Sequence, residues 1–348
     1  MPANNPVSSR PPVDLAHALE QIRGEESMLI YMHDNPDPDA LAAAVGLKRL
    51  VEQEAGLQAT LALGGIVGRA ENRAMVEVLK IPLTPIEELS PPSFDLVAIV
   101  DSQPGTGNNS LPADRPVDVV IDHHPLRPES SGAPWCDIRP ELGATSTIVL
   151  QYLRERHIAL DPAISTALFY ALRTETRDLG RESTEAERSA YLHLITLVDH
   201  QLLYRISHPK VPREHFAALD RALRSAQVFG DLVAVNLGQL SYPDLVAEVA
   251  DFLLSLERAR FVLCGGRFGT RVFLSLRTDA SEGRAGTLIR QLIDSQGAAG
   301  GHGTMAGGRL FAPANTDAEL QTAFDAVVRR FLMLTGRPVI APVPLIDR

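Results

Sequence analysis

A chain of 348 residues, 45% hydrophobic and 22% charged, is long enough for two domains with separate cores and excludes wholesale disorder. The formal net charge of −10, with no run of Lys or Arg, argues against long duplex nucleic acid and for a small phosphorylated ligand held by metals or a few placed arginines. Cys136 and Cys264 stand far apart and outside any CxxC pair, the opening MPANNPVSSRPP lacks the apolar core of a signal peptide, and no apolar run approaches about 18 residues. A cytoplasmic protein with no membrane partner is the expectation. In chain order, residues 1–12 are rich in Pro, Ser and Asn and read as frayed, and Asp14 caps a helix carrying Leu15, Leu19 and Ile22 at helical spacing. Apolar runs at residues 28–32, 57–63, 96–100 and 117–121 read as buried strands, and helical patterns at 40–54 and 70–79 separate the first three. Strands alternating with helices predict an α/β fold, a parallel sheet with helices on both faces. From Thr145 to about Arg224 the pattern is mostly helical. Strands follow at 232–237, 261–265 and 271–276, then a helix near 285–294, a Gly-rich turn and a final helix near 317–334. The reading is an N-terminal domain over 1–205, a helical linker over 206–230 and a smaller C-terminal α/β domain over 231–340.

The predicted strand ends carry the chemistry. The first runs into His33-Asp34-Asn35-Pro36-Asp37-Pro38-Asp39, the third ends at Asp101 and the fourth in Asp122-His123-His124. In an open parallel sheet the carboxyl ends of the strands line one edge, so these residues converge there. Taken singly, Asp39 reads as a helix cap and Asp101 as the start of a turn. Two adjacent histidines cannot both be core residues, because they point in different directions. Carboxylates and imidazoles gathered without nearby Lys or Arg require a cation, and this donor set suits Mn²⁺, Mg²⁺ or Zn²⁺. Two such ions roughly 3.5–4 Å apart activate a water and neutralise a phosphate.

HDNPDPD at 33–39, Asp101 and DHH at 122–124 resemble the first three signature motifs of the DHH phosphoesterase superfamily. That superfamily includes RecJ-type exonucleases, oligoribonuclease/pAp phosphatases, cyclic dinucleotide phosphodiesterases, and manganese pyrophosphatases and exopolyphosphatases. The resemblance implies two divalent metal ions, Mn²⁺ foremost: His33, Asp37 and Asp101 hold one, while Asp39, Asp101 and His123 help hold the other, with Asp101 bridging. It also implies that His124 faces the substrate phosphate, with Asp122 and Arg277 completing the catalytic set. The fourth motif departs from the family, since Thr174-Glu175-Thr176 stands where Thr-Asp-Thr is usual. Glu175 is the expected ligand and Asp178 the alternative. GGHGTMAG at 300–307 resembles the glycine-rich loop of the DHHA1 domain that follows many DHH domains, which implies that Gly300, Gly301, His302 and Arg277 contact substrate.

Taken together, the resemblance implies a phosphoesterase of the oligoribonuclease/pAp phosphatase branch. Its substrate would be a small nucleotide or short single-stranded oligonucleotide, attacked by a hydroxide held between two metals. A homodimer is implied only at family level. The alternatives are a manganese-dependent pyrophosphatase or polyphosphatase and a nucleotide-binding regulator with weakened hydrolysis. Arg69, Asn72 and Arg73 follow a Gly-rich turn at 64–68 and read equally as phosphate contacts or a solvated face. His193, His200 and His208 read as packing or surface residues, and Trp135 supports no argument.

Overall fold

The computed structural model describes residues 13–112, 115–181, 183–279, 281–338 and 341–346, in two units, Met1–Pro209 and Lys210–Arg348. The frayed start expected at residues 1–12 lies outside the described residues. The first unit opens with α1 (Leu15–Gln21), whose Ala16 and His17 N–H groups are accepted by the Asp14 carboxylate. Then come β1 (Ser27–Tyr31), α2 (Pro38–Glu54), β2 (Gln58–Leu63), α3 (Ala70–Leu79), β3 (Leu83–Pro85), β4 (Leu96–Val100), β5 (Val119–Asp122) and β6 (Trp135–Ile138). Four helices follow: α4 (Thr145–Glu155), α5 (Pro162–Thr176), α6 (Glu185–Leu194) and α7 (His200–Ser207).

The six strands form one parallel sheet in the order β3-β2-β1-β4-β5-β6. Successive side chains on a strand point to opposite faces. Met28, Ile30, Leu61, Ala98, Val100, Val119 and Ile121 therefore face a layer built from α1 to α7, while Leu29, Tyr31, Ala62, Val97 and Ile99 face the other way. That second face is covered by Leu89, Phe94, Leu111 and Val117 from connecting segments. The parallel α/β sheet is as expected, but its α-helices lie on one face where both were expected to carry them. The reason is that β4, β5 and β6 are joined by loops and short 3-10 turns instead of crossover helices.

The second unit begins with α8 (Arg213–Ser225), followed by β7 (Gln227–Phe229), β8 (Leu232–Gln239), α9 (Leu245–Leu253), β9 (Phe261–Phe268) and β10 (Arg271–Thr278). It continues through α10 (Ala285–Ile293), β11 (Gly297–His302), β12 (Met305–Leu310), α11 (Asp317–Leu334) and β13 (Val343–Pro344). Its seven strands run β11-β12-β10-β9-β8-β7-β13, with β8 and β9 parallel and the other neighbours antiparallel. One face packs against α10 and α11, the other against α8 and α9. The stretch read as a linker contains α8, whose Ala218 and Ala222 are buried in this second core. Among the described residues no helix is long and apolar enough to cross a membrane.

Candidate metal centre

The site grows from the carboxyl ends of β1, β4 and β5. After β1 the chain turns through Asn35 at φ +57°, which donates its N–H to the Gly64 carbonyl (3.1 Å) and accepts from Ile66 N–H (3.0 Å). Gly64 has to be glycine, because a Cβ there would lie 2.0 Å from Asp34 Oδ1. Asp37 then caps α2, its Oδ1 accepting from the N–H groups of Asp39 (2.9 Å) and Ala40 (3.1 Å), with Pro38 in the first turn. β4 leads directly into Asp101 at φ +55°, a left-handed conformation that Asp tolerates better than most residues. β5 ends in Asp122, followed directly by His123 and His124.

These ends meet around Asp101. Its Oδ2 lies 3.6 Å from His33 Nε2, and its Oδ1 lies 3.7 Å from His123 Nε2 and 3.9 Å from His124 Nδ1. His33 Nε2 is also 3.9 Å from Asp37 Oδ1. Two ligand groups result, His33–Asp37–Asp101 and Asp101–His123–His124, each with donor atoms within 4.8 Å of one another, and Asp101 belongs to both. His33 Nδ1 is 2.9 Å from the Asp34 carbonyl and His123 Nδ1 is 3.2 Å from the Leu142 carbonyl. A carbonyl only accepts, so Nδ1 carries the proton in both rings and Nε2 is left as the metal-binding atom. His124 differs: its Nδ1 is hydrogen-bonded to Asp122 Oδ1 at 2.9 Å, so that nitrogen is already engaged. Asp39 stands outside both groups. It is buried, and its two oxygens accept from the N–H groups of Thr145 (2.7 Å) and Ser146 (2.9 Å), capping α4 from a neighbouring helix.

The electrostatics follow from this crowding. Burial, then the charges of Asp39, Asp37, Asp122 and Glu175, push Asp101 well above the usual carboxylate range. Burial, then Glu175 and Asp37, push Asp39 up to about 7. Burial also opposes ionisation of Asp37 and Asp122, but their histidines prevail: His33 holds Asp37 low, and His124 helps hold Asp122 at about 2. Burial disfavours the charged form of His124, yet Asp122 lifts it to about 9.

Residues 27–174 match the family model described as DHH family, N-terminal domain. That stretch carries a DHH-family N-terminal domain. Among its relatives is an uncharacterized protein of Methanocaldococcus jannaschii, 32% identical over 296 residues, which are 84% of this chain and 60% of that protein. A probable manganese-dependent inorganic pyrophosphatase of Deinococcus radiodurans is 29% identical over 172 residues, 48% of this chain and 52% of the relative. The matches thus span between half and three-fifths of these curated relatives. An exopolyphosphatase-related protein from Bacteroides fragilis shares the fold, with a TM-score of 0.72 at 14% identity over 92% of this chain and 97% of its own. RecJ from Thermus thermophilus, solved in complex with Mn²⁺, reaches 0.52 at 18% identity over 98% of this chain and 57% of its own.

Just past the matched residues the remaining expected ligand, Glu175, sits at the C-terminal end of α5. Its charge raises the pKa of Asp39, Asp101 and His124, and Arg181 Nη2 lies 3.1 Å from its Oε1. Asp178 instead accepts from Arg173 Nε at 2.7 Å, with its side chain more than half exposed. Asn72 is buried and donates to the Pro36 carbonyl (3.3 Å), and Arg73 bonds the Gly68 carbonyl, so both tie loops together.

In the second unit Arg277, expected from the resemblance to contact substrate, is buried and partnered within its own domain. Its guanidinium donates Nε–H to Asp251 on α9 (2.7 Å) and Nη1–H to Ser275 Oγ (3.0 Å). The Gly-rich turn is a β-hairpin, β11–β12, in which Gly300 pairs with Gly307 and Gly301 with Ala306. Gly301, at φ +123°, leaves no room for a Cβ, which would lie 2.5 Å from the Ala306 Cα, whereas Gly300 faces open space. The backbone of His302 pairs with Met305, and its side chain lies outside the described residues.

Two residues that the motifs do not name hold the site in shape. Thr145 donates its hydroxyl to Asp101 Oδ1 (2.8 Å) and accepts from His123 N–H (3.3 Å). Gln103, fully buried, donates Nε2–H to Asp122 Oδ2 (2.7 Å). The available signal for Gln103 was its place two residues after Asp101. Thr145 had only its position at a helix start.

Proposed function

We propose that the chain is a metal-dependent phosphoesterase acting on small nucleotide substrates: short oligonucleotides, dinucleotides or 3′-phosphoadenosine 5′-phosphate. The observation that carries this reading is a single buried carboxylate, Asp101, common to two ligand groups in which His33 and His123 offer Nε2. The donor set fits divalent ions that accept both oxygen and nitrogen, Mn²⁺ foremost. His33, Asp37 and Asp101 would hold one ion, and Asp39, Asp101, His123 and Glu175 the other. Such a pair supplies Lewis acidity at the phosphoryl oxygens and lowers the pKa of a water. His124, whose ring is fixed through Asp122, is suited to donate to a phosphoryl oxygen. An acidic chain without Lys or Arg runs favours small substrates over long duplexes.

Pyrophosphate is a second reading, favoured by the Deinococcus radiodurans relative. The deciding experiment is turnover in Mn²⁺ of pAp, pApA, longer oligonucleotides, cyclic di-AMP and pyrophosphate. Release of mononucleotide from pApA, or of phosphate from pAp, is expected. Turnover confined to pyrophosphate moves the assignment to the second reading, and no turnover of any of them overturns both.

A further inference from the structure

We propose that Gln103 is a positioning residue for His124, acting through Asp122, an inference that rests on the phosphoesterase reading of the same site. Gln103 is fully buried, and both ends of its amide are engaged. Oε1 accepts from Arg127 N–H (2.7 Å) and from Ser130 Oγ–H (2.9 Å). Two donors at one atom fix that atom as the oxygen, so the other end is the NH₂ group. Its hydrogens reach Asp122 Oδ2 (2.7 Å) and the carbonyls of Pro125 (3.2 Å) and His124 (3.4 Å). The Asp122 oxygens are thereby divided: Oδ2 serves Gln103, while Oδ1 accepts from His124 Nδ1–H (2.9 Å) and His124 N–H (3.1 Å).

The terminal torsion of an aspartate is broad, so a carboxylate held at one oxygen can swing. Gripped at both, it fixes the plane of the His124 ring. The same amide also holds the main chain on either side of the His124–Pro125 bond, so the histidine is clamped by its backbone and by its ring. Because Gln103 lies two residues beyond Asp101, it ties the carboxyl end of β4 to that of β5, and the ring of His124 is set relative to the shared carboxylate.

Gln103→Glu keeps the acceptor and removes the two donor hydrogens; Gln103→Met removes both without adding a charge and serves if the first variant does not fold. In each, kcat and KM for pApA would be measured in Mn²⁺, together with Mn²⁺ stoichiometry by calorimetry. The low-field proton signal of His124 Nδ1–H would be assigned by its loss in Asp122→Asn. Expected is a fall in kcat of about 10–100-fold, the range found for outer-shell partners, with KM and Mn²⁺ stoichiometry unchanged and the proton signal lost. An intact signal with unchanged kcat overturns the proposal, and so does a loss of kcat that only tracks a loss of bound Mn²⁺. If the wild-type protein turns over none of the substrates, the phosphoesterase reading fails separately, and the proton signal alone decides whether Gln103 orients His124.

Discussion

Thr145→Val isolates the support of the shared carboxylate. The substitution keeps the side-chain volume and the backbone N–H that caps onto Asp39, and deletes only the hydroxyl that donates to Asp101 Oδ1 at 2.8 Å. A hydrogen bond to a charged acceptor contributes about 1.5–3 kcal/mol. The hydroxyl also accepts from His123 N–H, but at 3.3 Å that bond is long and adds little. Asp101 is already raised by burial and by neighbouring carboxylates, so removing a donor raises it further and lets protons compete better with a cation. At about 1.4 kcal/mol per tenfold, Mn²⁺ affinity should fall about 10–100-fold, which agrees with the known cost of removing outer-shell partners. The assay is half-saturation of turnover by Mn²⁺, paired with the Mn²⁺-induced rise in Tm. Both should weaken in Thr145→Val and stay near wild type in Thr145→Ser, which retains the hydroxyl. A Thr145→Val protein with half-saturation within about twofold of wild type would refute the argument that this hydroxyl secures the metal centre.

The site also predicts a pH dependence. Asp39 is raised from 3.8 to about 7 and His124 from 6.5 to about 9, and in each the folded state favours the protonated form. The stability they contribute is complete below those ordinary values and is lost as pH climbs through about 7 and about 9, so chelator-treated protein should lose Tm across that span. Bound Mn²⁺ displaces the proton of Asp39, so the Tm gained on adding Mn²⁺ should grow as pH rises towards about 7; a flat or declining gain over that range contradicts the charge assigned to Asp39. Glu175→Gln should weaken Mn²⁺ binding by about tenfold or more while Asp178→Asn leaves it within about twofold, as measured by calorimetry. The reverse order would transfer the ligand role to Asp178.

The elements legible in the sequence are those whose signal is local. Four apolar runs gave β1, β2, β4 and β5, because strands of a parallel sheet covered on both faces read as continuous apolar stretches. β3 and β6 lie at the edges of that sheet, where Leu83-Thr84-Pro85 and Trp135-Cys136-Asp137-Ile138 are too short or too mixed to register as runs. The helix at Asp317–Leu334 carries its own start signal, a capping box between Thr316 and Glu319. The β11–β12 hairpin was invisible as strands because glycine disfavours them, and its pairing is a tertiary event.

For the site, donors were legible because they follow apolar runs directly in sequence; their supports were not, because a hydrogen bond leaves no periodic trace. Thr145 reaches Asp101 across 44 positions and Asp39 across 106, and Gln103 reaches Asp122 across 19. Arg277 shows the converse: its residue type was legible, whereas the Asp251 beside it is visible only in the structure. The division among the carboxylates carries the further meaning. Asp37 and Asp122 are held low by histidines, whereas in Asp39 and Asp101 burial and repulsion dominate. Asp101, the member common to both ligand groups, is the one opposed by four other carboxylates. Repulsion of that kind is relieved by a proton or by a shared cation, and two histidines presenting Nε2 beside it favour the cation, because a proton needs neither of them.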